Sequence, residues 1–447
     1  MRRSASILTF LLALATPATA QMLPDSTYVE GWTLSNGLEV RLRHVPGAVG
    51  VAVAASFRAG RAMDAVGSEG QAELMANLFY TAPTAEHPAR TLEDMPRLRP
   101  LGWGIQINPR LVVLTEIGTH EQLPGILHEL GSRMRGLTID DARVKATAAA
   151  LRRQLGERYL QRPELTLHYR LRELGEGVTD AQMLARASGA SFDKLTSRDL
   201  KSQINRLYAP ANAALVLVGD LADFELQRMI ESEFGPLPAG IALAEPTDRP
   251  MVAASRVTTH PSVTRSTGGL AVFAPALEDS LHPSFFLGML MMGAWCNDHW
   301  GKPDAPLTSR FHYSLYDEPD LVRFYPPLAP GTTSAQSLAD EFNVRAEIFS
   351  GTSTPMSSLD QFRASLGWIL GGPLSPSIRR RAAVEGGPLG TIATTTAMRT
   401  LWRGDAFWGQ YARRFFTTGI VPSTFHSMIC APENQVVLVL NPTGSGR

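Results

Sequence analysis

A duplicated α+β fold is what this sequence predicts, and three observations carry the prediction. The first is an internal echo: Tyr208-Ala209-Pro210-Ala211-Asn212-Ala213-Ala214-Leu215-Val216-Leu217-Val218 reappears 222 residues later as Cys430-Ala431-Pro432-Glu433-Asn434-Gln435-Val436-Val437-Leu438-Val439-Leu440. Each copy is a helix end, a proline turn that stops it, and a continuous apolar run of the kind a buried strand shows. The second is order. Each half opens on an apolar strand candidate, Val49 to Phe57 and Gly269 to Phe273, so strand, helices and closing strand recur in one sequence. The third is composition: 44% hydrophobic and 19% charged residues supply a globular core and argue against disorder.

The elements follow in order. Leu123, Ile126, Leu127, Leu130 and Met134 fall at helical spacing and mark one buried stripe. A second helix is expected from about Ile139 through Tyr159, with Thr138 as N-cap and Asp140 and Asp141 in its first turn, breaking near Pro163. A third runs from Ser197 to Tyr208 and ends at the first proline turn. Proline and small residues from Pro236 to Pro250 mark the boundary, giving a first domain over 21–238, a linker over 239–256 and a second domain over 257–447.

Charge and targeting bound the function. With 42 basic and 42 acidic side chains, the formal net charge is zero, which excludes a strongly basic nucleic-acid binder. Arg2 and Arg3, the apolar stretch from Ile7 to Ala15, and Ala18-Thr19-Ala20 read as a secretory signal peptide over 1–20, with a mature start at Gln21. The alternative is an uncleaved anchor. The mature chain has no segment reaching the roughly 20 apolar residues of a membrane helix, so a periplasmic or secreted location is expected. The two cysteines, Cys296 and Cys430, lie in apolar surroundings and are expected as buried thiols in preference to a bridge.

Four stretches then speak to chemistry. Leu34-Ser35-Asn36-Gly37-Leu38-Glu39-Val40 reads as an opening strand, and an Arg58-Ala59-Gly60-Arg61 turn ends the first long one. Glu69-Gly70 lies in the stretch from Val66 to Tyr80 that follows this turn, and Tyr208 to Asn212 with Val218-Gly219-Asp220 closes the half. Together they resemble the insulinase/pitrilysin family of inverzincin metallopeptidases, which includes the mitochondrial processing peptidases. The likeness extends over nearly all of the mature chain, with the second half more diverged. The resemblance implies two related domains, each a largely antiparallel sheet with helices on one face.

It also implies an H-x-x-E-H helix, two imidazoles four residues apart for zinc with a glutamate base between them, and a distant glutamate as third ligand. Aligned on Glu69-Gly70, those positions are Glu73, Ala76 and Asn77, and the distant ligand falls near Gln154 or Leu155. None retains the required donor, so neither metal-bound nucleophile nor base is available. No catalytic residue, metal ligand or cofactor is expected. In paired enzymes of the family, the metal-free subunit contributes an arginine and a tyrosine to substrate. Here those positions hold Tyr316 and Arg323, in exchanged order, so the resemblance implies either a pair that contacts substrate or two residues without that role.

Other candidates carry less. His128-Glu129 opens like H-E-x-x-H, but Ser132 breaks the spacing, and a surface or packing role is expected. Trp295-Cys296-Asn297-Asp298-His299-Trp300 has no second cluster at metal spacing and reads as structural, and Arg379-Arg380-Arg381 as a solvated helix face. The expected function is an inactive, exported peptidase-like subunit that pairs with a zinc-bearing homologue around a peptide-binding chamber. The alternatives are a scaffold subunit of an envelope complex and an active enzyme with relocated ligands.

Overall fold

The continuous apolar runs become central strands. In the computed structural model, residues 30–64, 67–222, 225–245, 250–300, 310–328, 333–351, 359–360, 363, 366–420 and 422–443 are described. The expected signal segment lies outside them. The first sheet contains β1 (Glu30–Thr33), β2 (Glu39–His44), β3 (Val51–Phe57), β4 (Gly102–Ile107), β5 (Val112–Gly118) and β6 (Ala213–Gly219), in the order β1-β2-β6-β3-β5-β4. The second contains β7 (Ala254–His260), β8 (Thr267–Phe273), β9 (Phe311–Ser314), β10 (Glu318–Phe324) and β11 (Gln435–Pro442), in the order β7-β11-β8-β10-β9. Residues 254–256 of the expected linker are thus part of a strand.

The echo is structural. Both closing strands follow a one-turn helix, Pro210–Asn212 and Pro432–Asn434. β6 pairs parallel with β2 and antiparallel with β3, and β11 pairs parallel with β7 and antiparallel with β8. The asparagine of the echo has a reason to recur: Asn212 donates to the Arg206 carbonyl at 3.1 Å, and Asn434 to the Met428 carbonyl at 3.0 Å, each tying the turn to the helix before it.

The helices of the first half are α1 (Gln71–Thr81), α2 (Met95–Leu98), α3 (Leu123–Arg135), α4 (Asp141–Gly156), α5 (Pro163–Gly175), α6 (Asp180–Ser188), α7 (Ser197–Leu207) and α8 (Leu226–Phe234). Those of the second are α9 (His282–His299), α10 (Ala335–Ser350), α11 (Pro376–Ala382), α12 (Gly386–Leu401), α13 (Gly404–Thr417) and α14 (Pro422–Cys430). The expected stripe on α3 is present, with Leu123, Ile126 and Leu127 buried. The N-cap of α4 is Asp140, not Thr138: its carboxylate accepts from the Arg143 amide at 2.7 Å, while the Thr138 amide is engaged by the Pro83 carbonyl. A π-helical turn, Glu157–Gln161, separates α4 from α5.

Each sheet carries the helices of its own half on one face, as the resemblance implied, and a helix of the other half covers the second. The side chains of β3 show the division: Val51, Val53, Ala55 and Phe57 face α1, α3, α4, α7 and α8, while Ala52 and Ala54 face Leu389, Ile392, Ala393 and Ala397 of α12. In the second sheet, Val437 and Val439 of β11 face α9, α10 and α14, while Val436, Leu438 and Leu440 face Leu167, Leu171 and Leu174 of α5. Each half lends the other one helix. The physical cause is in the strands: β3 and β6 bury all seven of their residues, and a strand apolar on both faces must be covered on both. Cys296 is buried, Cys430 is half-buried, and both are free thiols. No helix among the described residues is long and apolar enough to cross a membrane.

Candidate functional site

The N-terminus of α1 is built by residues around it. Gly70 caps the helix at φ +89°, and a Cβ there would meet the Phe192 ring at 2.8 Å, so only glycine fits. The Asp64 carboxylate accepts from the amides of Gly70 and Ala72, both at 2.8 Å, and satisfies two of the unpaired donors at the helix start. Burial and then the Glu73 charge raise the Asp64 carboxyl above its ordinary range, against the pull of those two amides.

Glu73 is buried in the first turn of α1, and Arg61, from the turn after β3, donates through Nε to its Oε1 at 2.6 Å. Burial opposes the Glu73 charge, but Arg61 outweighs it and holds that carboxyl below its ordinary value, with Arg158 acting in the same direction. Its second oxygen is buried and has no hydrogen-bond partner, as is the hydroxyl of Tyr208, whose ring stacks on Phe79 at 4.6 Å. Ala76 is fully buried in the first-half core. Asn77 turns its amide back to the Glu73 carbonyl at 2.8 Å.

Around Glu73 lies a cavity of about 370 Å³, lined from α1, α4, α5, α6, the π-helical turn and β10. Its charges are largely paired. Arg172 on α5 grips Asp320 with both terminal nitrogens at 3.0 Å and Glu176 at 2.8 Å, joining the first half to β10 of the second. Glu173 accepts from the Tyr159 hydroxyl at 2.7 Å and from Arg186 at 3.3 Å. Arg158 instead lies over the Tyr169 ring, 4.1 Å from its centroid, and reaches the cavity from the π-helical turn. Leu155 presents an apolar wall.

Part of the chain matches a known domain, and proteins of known structure share its fold. The peptidase M16 inactive domain matches residues 194–312. A protease from Helicobacter pylori superposes with a TM-score of 0.65 at 14% identity, over 94% of this chain and 100% of its own. The M16 inactive domain from Pseudomonas fluorescens gives 0.65 at 15%, over 94% and 99%. The periplasmic protease PqqL from Escherichia coli gives 0.65 at 14% over 95% of this chain, which spans 48% of PqqL. Curated protein sequences give no match.

The chain shares the fold of the M16 inactive domain and matches that domain over residues 194–312.

In an insulinase/pitrilysin peptidase, α1 would carry the zinc helix, and the residues present here do not fit that ion. Of the three ligand positions, Glu73 offers one carboxylate already paired with a guanidinium, Asn77 spends its amide on its own helix, and the third falls at solvent-exposed Gln154 or apolar Leu155. Arg61 and Arg158 bring positive charge where a metal site needs donors.

The insulinase/pitrilysin resemblance also singled out Tyr316 and Arg323. Tyr316, between β9 and β10, donates to the Ile369 carbonyl at 2.7 Å and packs edge-on to Trp408. Arg323 on β10 pairs with Glu318 at 2.5 Å and donates to the His168 carbonyl at 2.9 Å. Both are buried, and of these residues only Glu318 lines the cavity. The Trp295–Trp300 stretch ends α9, where Trp295 stacks on His299 at 4.4 Å and Cys296 is buried. Arg379, Arg380 and Arg381 are exposed on α11.

Sequence reasoning marked the Arg58–Arg61 turn but not the ion pair it makes. Arg158 left one signal, its position one helical turn after the counted third ligand. Tyr169, Arg172, Glu173 and Glu176 left none.

Proposed function

We propose that this chain is a catalytically inactive, exported insulinase/pitrilysin-like subunit that pairs with a zinc-bearing homologue and contributes part of a peptide-binding chamber. The observation that carries the reading is the retained α1 with its chemistry replaced: Glu73 bound to Arg61, Ala76 in the core and Asn77 folded onto its own helix. Metal-assisted hydrolysis needs an activated water and a Lewis acid, and this donor set assembles neither. The cavity around Glu73, with Arg158, Tyr169 and the edge carboxylates, has the mixed polarity that suits a peptide's backbone and termini. Export rests on the N-terminal sequence and on the likeness to a periplasmic protease, PqqL. That this chain spans about half of PqqL supports pairing with a second homologous unit.

A scaffold role without peptide handling is the second reading, favoured by the internal pairing of Arg61, Arg172 and Arg186, which leaves few free charges in the cavity.

The test has two arms. Purified alone, the mature chain should leave unfolded and short peptides uncut, with or without zinc; chelator-sensitive cleavage would overturn inactivity. From its native envelope it should co-purify with a homologue bearing an intact H-x-x-E-H helix. Recovery without one would remove the pairing. Binding of labelled peptides to the pair, weakened by Arg158→Ala, decides between chamber and scaffold.

A further inference from the structure

At the far end of α1 from Glu73, a loop and two helices assemble a second constellation. His128 on α3 places Nδ1 at 3.0 and 3.1 Å from the two oxygens of Glu233 on α8. Nε2 lies 3.2 Å from Glu86 Oε2, so the ring stands between two carboxylates, and either a proton or a metal ion on Nε2 would satisfy that oxygen. His87 sits edge-on to His128, ring centroids 5.3 Å apart, and its own Nε2 is buried with no hydrogen-bond partner.

We propose that Glu86, His87 and His128 bind a divalent cation of the zinc type, with Glu233 as the positioning residue for His128. One ligand atom from each of the three lies within 4.8 Å of the others. Metal–ligand bonds of about 2.0–2.1 Å in a tetrahedral site put ligand atoms roughly 3.3 Å apart, so half-exposed side chains close the site by small rotations. The loop is already held for this. The amides of Glu86 and His87 donate to Thr84 Oγ1 at 3.2 and 3.0 Å, and Ser132 on α3 donates to the same oxygen at 2.8 Å.

Charge agrees. Glu86 and Glu233 bring two negative charges and Arg135, at 3.1 and 3.4 Å from them, one positive, so a cation enters a net negative site. Two imidazoles and a carboxylate are the donor set of zinc and its first-row neighbours. The fourth position is open to water, since His128 and Glu86 side chains are both 44% exposed. A second cluster, His168, His312 and Glu318, is poorer, because Arg323 and Arg172 already occupy its carboxylate. Sequence spacing could not show the site, since the second histidine comes from a loop and not from α3.

The experiment is titration of zinc chloride into the metal-free full chain by calorimetry, with thermal unfolding measured beside it. One ion per chain is expected, with a zinc-dependent rise in Tm. His87→Gln and His128→Gln should each weaken binding at least ~10-fold and abolish the Tm rise while leaving the metal-free Tm near that of the parent. Glu233→Gln should weaken it by about 10-fold, and Glu233→Asp by less. His87→Gln alters only a loop and keeps the test valid if His128→Gln fails to fold. No uptake at micromolar free zinc, or uptake indifferent to His87 and His128, overturns the proposal.

Discussion

Arg61 and Glu73 show how far one buried charge relies on its neighbour. Glu73 is buried and is hydrogen-bonded to the Arg61 guanidinium, so removing that partner leaves a charge poorly compensated away from water. Arg61→Met is expected to lower stability by about 3 kcal/mol, and Arg61→Met with Glu73→Met together to recover most of it. Urea unfolding of the two variants checks this, and losses that simply add would show the residues to be uncoupled. His282 gives a second case. It is fully buried between the Tyr411 and Tyr313 hydroxyls, at 2.7 and 3.3 Å, and burial pushes its pKa from 6.5 down to about 4. The unfolded chain therefore takes up a proton that the folded chain refuses. Stability is fully present above pH 6.5 and falls as pH drops from there toward 4, by about 3 kcal/mol from this group. His282→Gln, which cannot titrate, should flatten that slope when unfolding is followed at several pH values.

At the scale of elements, α12 depends on small residues. Ala393 and Ala397 lie against Ala52 and Ala54 of β3, close enough for Ser56 Oγ to reach the Ala397 carbonyl at 3.1 Å and for Thr115 and Thr394 hydroxyls to meet at 2.8 Å. A Cβ on Gly386 would stand 2.2 Å from the Leu101 carbonyl oxygen, which is backbone and cannot rotate away. Gly386→Ala is expected to cost about 2 kcal/mol by forcing α12 off the sheet. Gly387→Ala, one position on and with nothing within 4 Å, should be neutral or stabilising by up to about 1 kcal/mol. Thermal denaturation of the pair separates crowding from glycine's backbone entropy. The echoed strands were legible at this scale because burial on both faces requires an unbroken apolar run. The exchange of α5 and α12 was not, because an amphipathic helix records which face is buried and not which sheet buries it.

For the whole molecule, that exchange couples the halves. The second face of each sheet is completed by the other half, and Arg172 fastens α5 to Asp320 of β10. A single cooperative transition is therefore expected in calorimetry, although two sheets are present; two separated transitions would show the halves to be independent. A fragment ending at residue 245 would lack α12 and leave Ala52, Ala54, Val113, Ala214 and Val216 uncovered. It should bind a hydrophobic dye and fail to unfold cooperatively.

The sequence by itself determined the duplication, the positions of the central strands and of α1, and the residue types at Glu73, Ala76 and Asn77, where an H-x-x-E-H helix would carry its imidazoles and its base. These are local facts: residue type, period and spacing settle them. Tertiary structure alone decided how those side chains are partnered. Arg61 reaches Glu73 across a turn, Tyr316 and Arg323 are taken up by internal bonds, and His87 meets His128 from a loop. Side-chain partners of this kind are set by how elements pack, and no periodicity along the chain encodes the distance between them.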